Sequence, residues 1–174
     1  MSDSREGYYQ EGVRRHGQRH REFHWPSMEL LFNLVYTYDV MESRLARKLG
    51  AHGLSLSAFN VLMILSRSGQ EGCALHKLSN LLVVSRANIT GLVRCLVDKG
   101  LIERVEDERD RRVRIARITK RGEKLLETVL PGYYLMVRKM LGGISKEENR
   151  ALNNLLARMR KSVQQSGETK GKDE

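Results

Sequence analysis

The sequence predicts a mostly α-helical fold that carries one small β-hairpin. Apolar residues recur at helical spacing through most of the chain. Glycine and proline, with 15 and 2 residues in 174, are too sparse for a loop-rich all-β protein. The helical pattern is interrupted by a single short stretch in which apolar and polar residues alternate, with a highly charged loop at its centre. The length favours one domain with arms, and 40% hydrophobic residues suffice for a packed core.

The charge composition restricts the class of partner. Lysine and arginine number 31 against 21 acidic residues, so the net charge is +10. This balance favours a polyanion such as DNA, RNA or an anionic membrane surface, although charge that merely keeps a protein soluble is an alternative. Cys73 and Cys95 have neither metal-ligand nor disulfide-framework spacing, and no apolar run is long enough for a signal or membrane segment. We therefore expect a cytoplasmic protein without cofactor, metal or membrane partner.

Both ends of the chain are polar. Residues 1–24 interleave arginines with His16, His20 and His24, which predicts a basic flexible arm or an extra helix. The three histidines have i, i+4, i+8 spacing, but we interpret them as part of a soluble arm, not as a metal site. Residues 166–174 contain no apolar side chain and are predicted to form a disordered tail.

The first long helix is predicted within residues 25–53. It begins after Pro26 and Ser27, its apolar stripe runs from Leu31 to Leu49, and glycines end it. Three shorter helices should follow. Ser55 is a plausible N-cap for the first of them, and the second contains Leu75, Leu78 and Leu82. The third spans Ser85 to Lys99, with its inward side formed by Ile89, Leu92, Val93 and Leu96.

A β-hairpin is predicted next, with strands from Leu101 to Val105 and from Val113 to about Arg117. The charged loop from Glu106 to Arg112 joins them. The order helix, turn, helix, strand, loop, strand is that of a winged helix-turn-helix, in which the second helix of the pair enters the DNA major groove beside the hairpin. Residues 54–118 are therefore predicted to form a DNA-binding lobe.

The remaining helices occupy residues 119–165. Thr119 should cap a long helix, which Pro131 is expected to kink or split. The sequence from Ser145 to Glu148 fits a capping box and opens a last helix, predicted to bury Leu152, Leu155, Leu156 and Met159. Together with residues 25–53, these helices supply more apolar surface than one small lobe can cover. We therefore expect them to pair across a two-fold axis in a homodimer.

Two sets of polar residues are candidates for DNA contact. The polar side of the fourth helix and the hairpin loop supply them: Arg86, Asn88, Thr90, Arg94, Arg109, Asp110, Arg111 and Arg112. Helix residues of these types donate to base edges or phosphates. In the loop, Asp107 and Asp110 can brace Arg109 and Arg112 by bidentate pairing, and an extended guanidinium suits a narrow minor groove. An ordinary solvated helix face and a solvated charged turn are the alternatives.

The chain resembles the MarR family of winged-helix regulators. The resemblance rests on Lys99-Gly100-Leu101-Ile102-Glu103-Arg104, on the D-x-R-D-x-R pattern from Asp107 to Arg112, and on Ile118-Thr119-Lys120-Arg121-Gly122. It implies a homodimer on a pseudo-palindromic operator, often a repressor, released by small and frequently phenolic or aromatic-acid ligands. It also implies that Arg112 is the minor-groove arginine and Asp110 its brace.

The urate-responsive members, which have an extra N-terminal helix, are the most similar within that family. Two departures make another small anion more plausible than urate, because Asn60 replaces their acidic residue and Leu92 their recognition-helix arginine. The ligand-binding residues that the resemblance implies are Trp25, Tyr36, Tyr38, Asn60 and Arg104. For Arg104, an ion pair with Glu103 or Glu106 is the alternative. The cysteine and histidine positions of the peroxide- and zinc-sensing members are not matched.

Other functional classes fit less well. An enzyme would need a nucleophile with a base or a metal site, and the sequence contains no such motif. A winged-helix module that contacts only protein or RNA remains an alternative to specific DNA binding.

Overall fold

The computed structural model describes residues 4–82, 89–106, 110 and 113–168. Contacts divide the chain into two compact units, Met1–Tyr133 and Tyr134–Glu174. The elements in chain order are α1 (Ser4–Gly17), α2 (Trp25–Gly50), α3 (Leu56–Arg67), β1 (Cys73–Ala74), α4 (Leu75–Leu81), α5 (Ile89–Asp98), β2 (Ile102–Glu106), β3 (Arg114–Ile118), α6 (Lys120–Met140) and α7 (Lys146–Glu168). The prediction of a mostly helical fold with a small β-hairpin is confirmed.

The core of the first unit lies among α3, α4, α5 and the sheet. Phe59, Leu62 and Leu65 of α3 are almost fully buried, because they follow one another at helical spacing on its inward side. Leu78 of α4 and Leu96 of α5 are equally buried. The inward faces that the sequence predicted for these short helices therefore form one continuous apolar core.

The sheet has three strands in the order β1-β3-β2, all antiparallel. The hairpin register runs from the pair Ile102–Ile118 to the pair Glu106–Arg114, so the loop begins one residue later than predicted. The strand β1 was not predicted. In it, Cys73 pairs with Ala116 through the backbone and is buried.

Local capping signals position three of the helices. The Ser55 hydroxyl accepts a hydrogen bond from the amide of Ala58 at 3.1 Å and starts α3. Thr119 Oγ1 accepts one from the amide of Gly122 at 3.1 Å and starts α6. At the start of α7, the Ser145 amide donates to Glu148 Oε2 at 2.8 Å, and the Glu148 amide donates to Ser145 Oγ at 3.2 Å. The predicted capping box is thus reciprocal.

The structure corrects the predictions for the C-terminal helices. Helix α6 is not split at Pro131 but continues to Met140, because the loss of one backbone donor leaves the hydrogen bonds of the neighbouring turns intact. Helix α7 extends to Glu168, so the first three residues of the predicted tail at 166–174 are helical, while 169–174 lie outside the described residues. The α7 stripe is not buried within the chain, since Leu152 is 45% and Leu155 57% exposed.

For residues 1–24 the sequence left a flexible arm or an extra helix open, and the structure contains the helix α1. Gly17 at its end is buried, and Phe23 occupies the space that a Cβ atom on this glycine would need. The guanidinium of Arg14 lies over the Trp25 ring, 5.4 Å from its centroid. These contacts join α1 to the start of α2.

Candidate nucleic-acid interface

The loop of the hairpin begins and ends at two strand residues that pair with each other. Glu106 and Arg114, the last residues of the two strands, form an ion pair across the hairpin. The amide of Val113 donates to the carbonyl of Asp110 at 2.9 Å, which makes a turn just before β3, and Asp110 is exposed. Three predicted DNA-binding residues of this loop, Arg109, Arg111 and Arg112, lie outside the described residues.

Helix α5 separates an apolar side from a polar one. Val93 and Leu96 are buried against α3 and the sheet, whereas the predicted contact residues Thr90 and Arg94 are exposed. This division follows from helical periodicity, since residues three or four apart share a face. The other two predicted helix residues, Arg86 and Asn88, lie outside the described residues.

The hairpin and α5 are directly linked. The Arg104 guanidinium on β2 donates to the backbone carbonyl of Thr90, near the start of α5, at 3.3 Å. The expected alternative, an ion pair of Arg104 with Glu103 or Glu106, is not found among the described residues, where Glu106 pairs with Arg114. Arg104 therefore ties a wing strand to the helix that carries two of the predicted DNA-binding residues.

A second junction connects α5 to α6. The chain turns at Gly100, whose φ of 66° lies in the left-handed region that favours glycine. Thr119 Oγ1 donates to the Gly100 carbonyl at 2.8 Å, and the Thr119 amide donates to the Leu101 carbonyl at 3.1 Å. The residue after the hairpin is thereby held against the residue before it.

This assembly is that of a winged helix-turn-helix, and comparison with known proteins identifies it further. Residues 54–113 match the model of the MarR family. The chain carries a MarR-family domain. The matched residues include α3, α4, α5, β2 and the hairpin loop.

MarR-type regulators of known identity match most of this chain. The transcriptional repressor MprA of Escherichia coli K12 is 28% identical over 145 residues, which cover 81% of this chain and 80% of MprA. The transcriptional activatory protein BadR of Rhodopseudomonas palustris is 35% identical over 101 residues, or 58% of either chain. Because these relatives are transcriptional regulators, the expectation of a regulator of transcription and not an enzyme is confirmed.

A solved MarR-type structure shows the same fold bound to DNA. The MepR–DNA complex of Staphylococcus aureus is 25% identical to this chain, with a TM-score of 0.67, and the match covers 76% of this chain and 96% of that one. DNA is accordingly the partner of the fold that this chain shares with MepR.

The ligand-binding residues implied by the MarR resemblance lie on α2, α3 and β2. Trp25 contacts Phe23 and Arg14 at the α1–α2 junction, with 6.4 Å between the two ring centroids. Tyr38 is 50% exposed on α2. Tyr36 and Asn60 are half-buried, on α2 and α3, and Arg104 binds the backbone of α5.

The two thiols differ in environment. Burial raises the pKa of the Cys73 thiol, and the nearby charge of Lys77 lowers it by a smaller amount. Cys95, in contrast, is exposed on α5. No group of three or more His, Cys, Asp or Glu side chains suited to a metal ion occurs in the described part of the chain. Nor does any described helix have the length and apolarity to cross a membrane.

The sequence predictions missed one feature of this MarR-type lobe. His52, Lys99, Arg121 and Lys124 line a common cleft, although they are far apart in the sequence. The available signal was the pair of basic residues in the first turns of α6, where acidic residues are normally favoured.

Proposed function

We propose that this chain is a homodimeric, sequence-specific repressor that acts in the cytoplasm and is released from its operator by a small aromatic or carboxylic acid. The observation that carries the proposal is the linked pair of α5 and the hairpin, with Thr90 and Arg94 exposed beside a wing whose strands end in an ion pair. The fold of the MepR–DNA complex supports DNA as the partner.

The proposed division of labour follows from chemistry. Arg86, Asn88, Thr90 and Arg94 would read bases or hold phosphates from the major groove. Arg109, Arg111 and Arg112 would reach the minor groove or its phosphates, with Asp110 orienting Arg112. A base contact makes binding sequence-dependent, whereas a phosphate contact weakens all duplexes alike.

Selecting bound duplexes from a random pool identifies the operator, and fluorescence anisotropy then measures affinity for it. We expect Arg112→Ala to weaken operator binding by about 1–3 kcal/mol, and Asp110→Ala to cause part of the same loss. Arg150→Ala on α7 is the matched control. Affinities of both wing variants within a factor of two of wild type would refute the role of the wing.

Replacing Thr90 and Arg94 singly with alanine tests the recognition helix. At least one variant should relax the preference at a particular base pair. If both keep the wild-type preference and affinity, these two residues do not read the operator.

The alternative function, contact with protein or RNA alone, predicts a different response to salt. Binding of duplex DNA releases counterions, so the logarithm of affinity should fall steeply with the logarithm of salt concentration. A shallow slope with no preference among duplexes would favour the alternative.

The homodimer is proposed from exposed apolar side chains on two helices. On α2, Leu31 is 51% and Val35 59% exposed, and on α7, Leu155 is 57% exposed. Exposed apolar patches on a protein surface often mark an interface with another chain. Light scattering at micromolar concentration should give the mass of a dimer, and Val35→Glu or Leu155→Glu should shift it towards a monomer. A monomeric wild-type chain would refute this part.

The contact of Arg104 with Thr90 suggests how binding of an acid could affect the DNA-binding helix α5. A carboxylate that pairs with the Arg104 guanidinium would compete with the Thr90 carbonyl for the same donor, and so would loosen the start of α5. Trp25, Tyr36, Tyr38 and Asn60 are the proposed aromatic and polar lining. The ligand can weaken DNA binding only by the difference between its affinities for the two states, typically about 1–3 kcal/mol.

Titration of benzoate, salicylate and urate into the protein–operator complex tests the acid. Wild type should release DNA with at least one of them, and Arg104→Ala should respond less. Undiminished release from Arg104→Ala would remove this arginine from the site, and no release by any acid would refute the ligand class. Reporter transcription with and without the protein distinguishes repression from the activation that the name of BadR indicates for that protein.

A further inference from the structure

A cleft of about 420 Å³ opens on the first unit, among the turn after α2, the end of α5 and the first turns of α6. The charged residues that line it, Lys99, Arg121 and Lys124, are all cationic, and His52 also lines the cleft. No carboxylate lines it. Leu101 and Leu125 add apolar surface. The volume lies within the range of about 300–1,000 Å³ that is usual for small-molecule sites.

The position of two of these cations is electrostatically unfavourable in the free chain. The N-terminus of a helix carries partial positive charge, so acidic side chains near it are stabilising and basic ones are not. Helix α6 begins at Lys120, and Arg121 and Lys124 lie within its first turns. Glu123 is also in the first turn but does not line the cleft.

Among the residues that the structure describes, no ion pair includes any of these cations. The ion pairs among the described residues are Arg15–Glu11 and Arg114–Glu106, neither of which includes a residue of the cleft. Lys99 Nζ donates to the Gly53 carbonyl at 2.7 Å, which leaves two of its three N–H bonds to donate to a ligand. Like charges gathered without a counter-charge repel one another, and a bound anion would relieve this repulsion.

We propose that this cleft binds a small anion with two or more negative charges, borne by carboxylate or phosphate groups. Arg121 pairs bidentately with either group, and Lys99 and Lys124 act as further point charges. The leucines suit a short carbon skeleton. None of the residues proposed for the acid that releases DNA lines this cleft, so the two sites are separate and this inference does not depend on that ligand.

An anion in this cleft would join three elements. Lys99 follows α5, His52 follows α2, and Arg121 belongs to α6. A ligand held by all three favours the arrangement in which their charges lie close together. By linkage, any change that it causes in DNA affinity equals the change that DNA causes in the affinity for the anion.

Calorimetry on the full chain tests the proposal, with pyrophosphate and citrate as probes and sodium chloride at matched ionic strength as the blank. We expect saturable binding of at least one probe by wild type and a rise in its Tm. The double variant Arg121→Gln/Lys124→Gln should bind that probe at least tenfold more weakly, because it loses two of the cations. The matched control is Lys146→Gln/Arg150→Gln, which removes two exposed cations from α7 and should bind as wild type does.

The double variant also has a readout that does not require a ligand. Without anion, its Tm should equal or exceed that of wild type, since two cations leave the positive end of α6. This result excludes misfolding as the cause of weak binding. Binding of pyrophosphate alone assigns phosphate chemistry to the cleft, and binding of citrate alone assigns carboxylate chemistry.

Three results would overturn the inference. One is that neither probe binds wild type saturably, and another is that the two double variants lose affinity equally. The third is that the Arg121→Gln/Lys124→Gln variant loses only duplex DNA affinity, which would assign these cations to the DNA backbone. The anion titrations require no DNA, so failure of the proposed repressor function leaves them unaffected.

Discussion

Gly122, in the first turn of α6, is a position where a single added methyl group should be damaging. This glycine is buried, and a Cβ atom on it would collide with the carbonyl oxygen of Leu101 and lie 2.8 Å from Cγ1 of Ile118. The Leu101 carbonyl already accepts the Thr119 amide at 3.1 Å. It therefore cannot retreat without lengthening that hydrogen bond, and the junction between the hairpin and α6 would have to open.

The expected change in the free energy of unfolding on Gly122→Ala combines two destabilising terms and one stabilising term. Overpacking costs about 1–3 kcal/mol, and weakening of the Thr119 hydrogen bond costs about 0.5–1.5 kcal/mol. Replacing glycine by alanine inside a helix returns about 1 kcal/mol. We expect a net loss of about 0.5–3.5 kcal/mol in the free energy of unfolding, with a Tm lower by roughly 1–14 °C.

Gly132→Ala is the matched control on the same helix. A Cβ atom there would meet the end of the Lys48 side chain, with Cε at 3.0 Å and Nζ at 3.2 Å, and this flexible side chain can move aside. The control should therefore keep or gain stability, by up to about 1 kcal/mol. Urea and thermal unfolding followed by circular dichroism, at one protomer concentration, measure both variants. If Gly122→Ala unfolds at or above the wild-type midpoint, the packing argument is refuted.

The remaining predictions concern the last helix and the thiols. Ser145→Ala should cost about 0.5–2 kcal/mol of helix stability through loss of the N-cap, seen as earlier melting of helical ellipticity, and an unchanged melt would contradict it. Hydrogen bonds from the backbone amide of Ser145, and to a smaller extent from its side chain, lower the pKa of the Glu148 carboxyl. The stability that the ionised Glu148 adds is therefore present above the unfolded pKa of this carboxyl and is lost as pH falls through its lowered pKa. In the Glu148→Gln variant, this part of the loss of stability at acid pH should be absent. Cys95 should react with a thiol reagent before Cys73, whose pKa is raised by burial, and equal rates in the native chain would be the contrary result.

Short-range signals account for what could be predicted correctly. Ser55, Thr119 and Ser145 each start a helix through a hydrogen bond to an amide three residues on, so the information lies within one turn of sequence. The buried sides of α3 and α5 follow from the same helical period, and the strands of the hairpin are adjacent in the chain. The MarR-type motifs lie in these same segments, which is why a regulator could be expected before any coordinates.

What only the tertiary structure decided depends on residues far apart in the chain. The strand Cys73–Ala74 has no pattern of its own and exists because β3 offers it backbone partners at Ala116 and Ile115. The exposure of the α7 stripe could not be read from its spacing, since an amphipathic helix looks the same whether its own chain or a second copy covers it. The cationic cleft likewise arises only when the turn after α2, the end of α5 and the start of α6 are packed together. Sequence periodicity specifies which side of an element is apolar, but the packing of the elements decides which distant charges become neighbours.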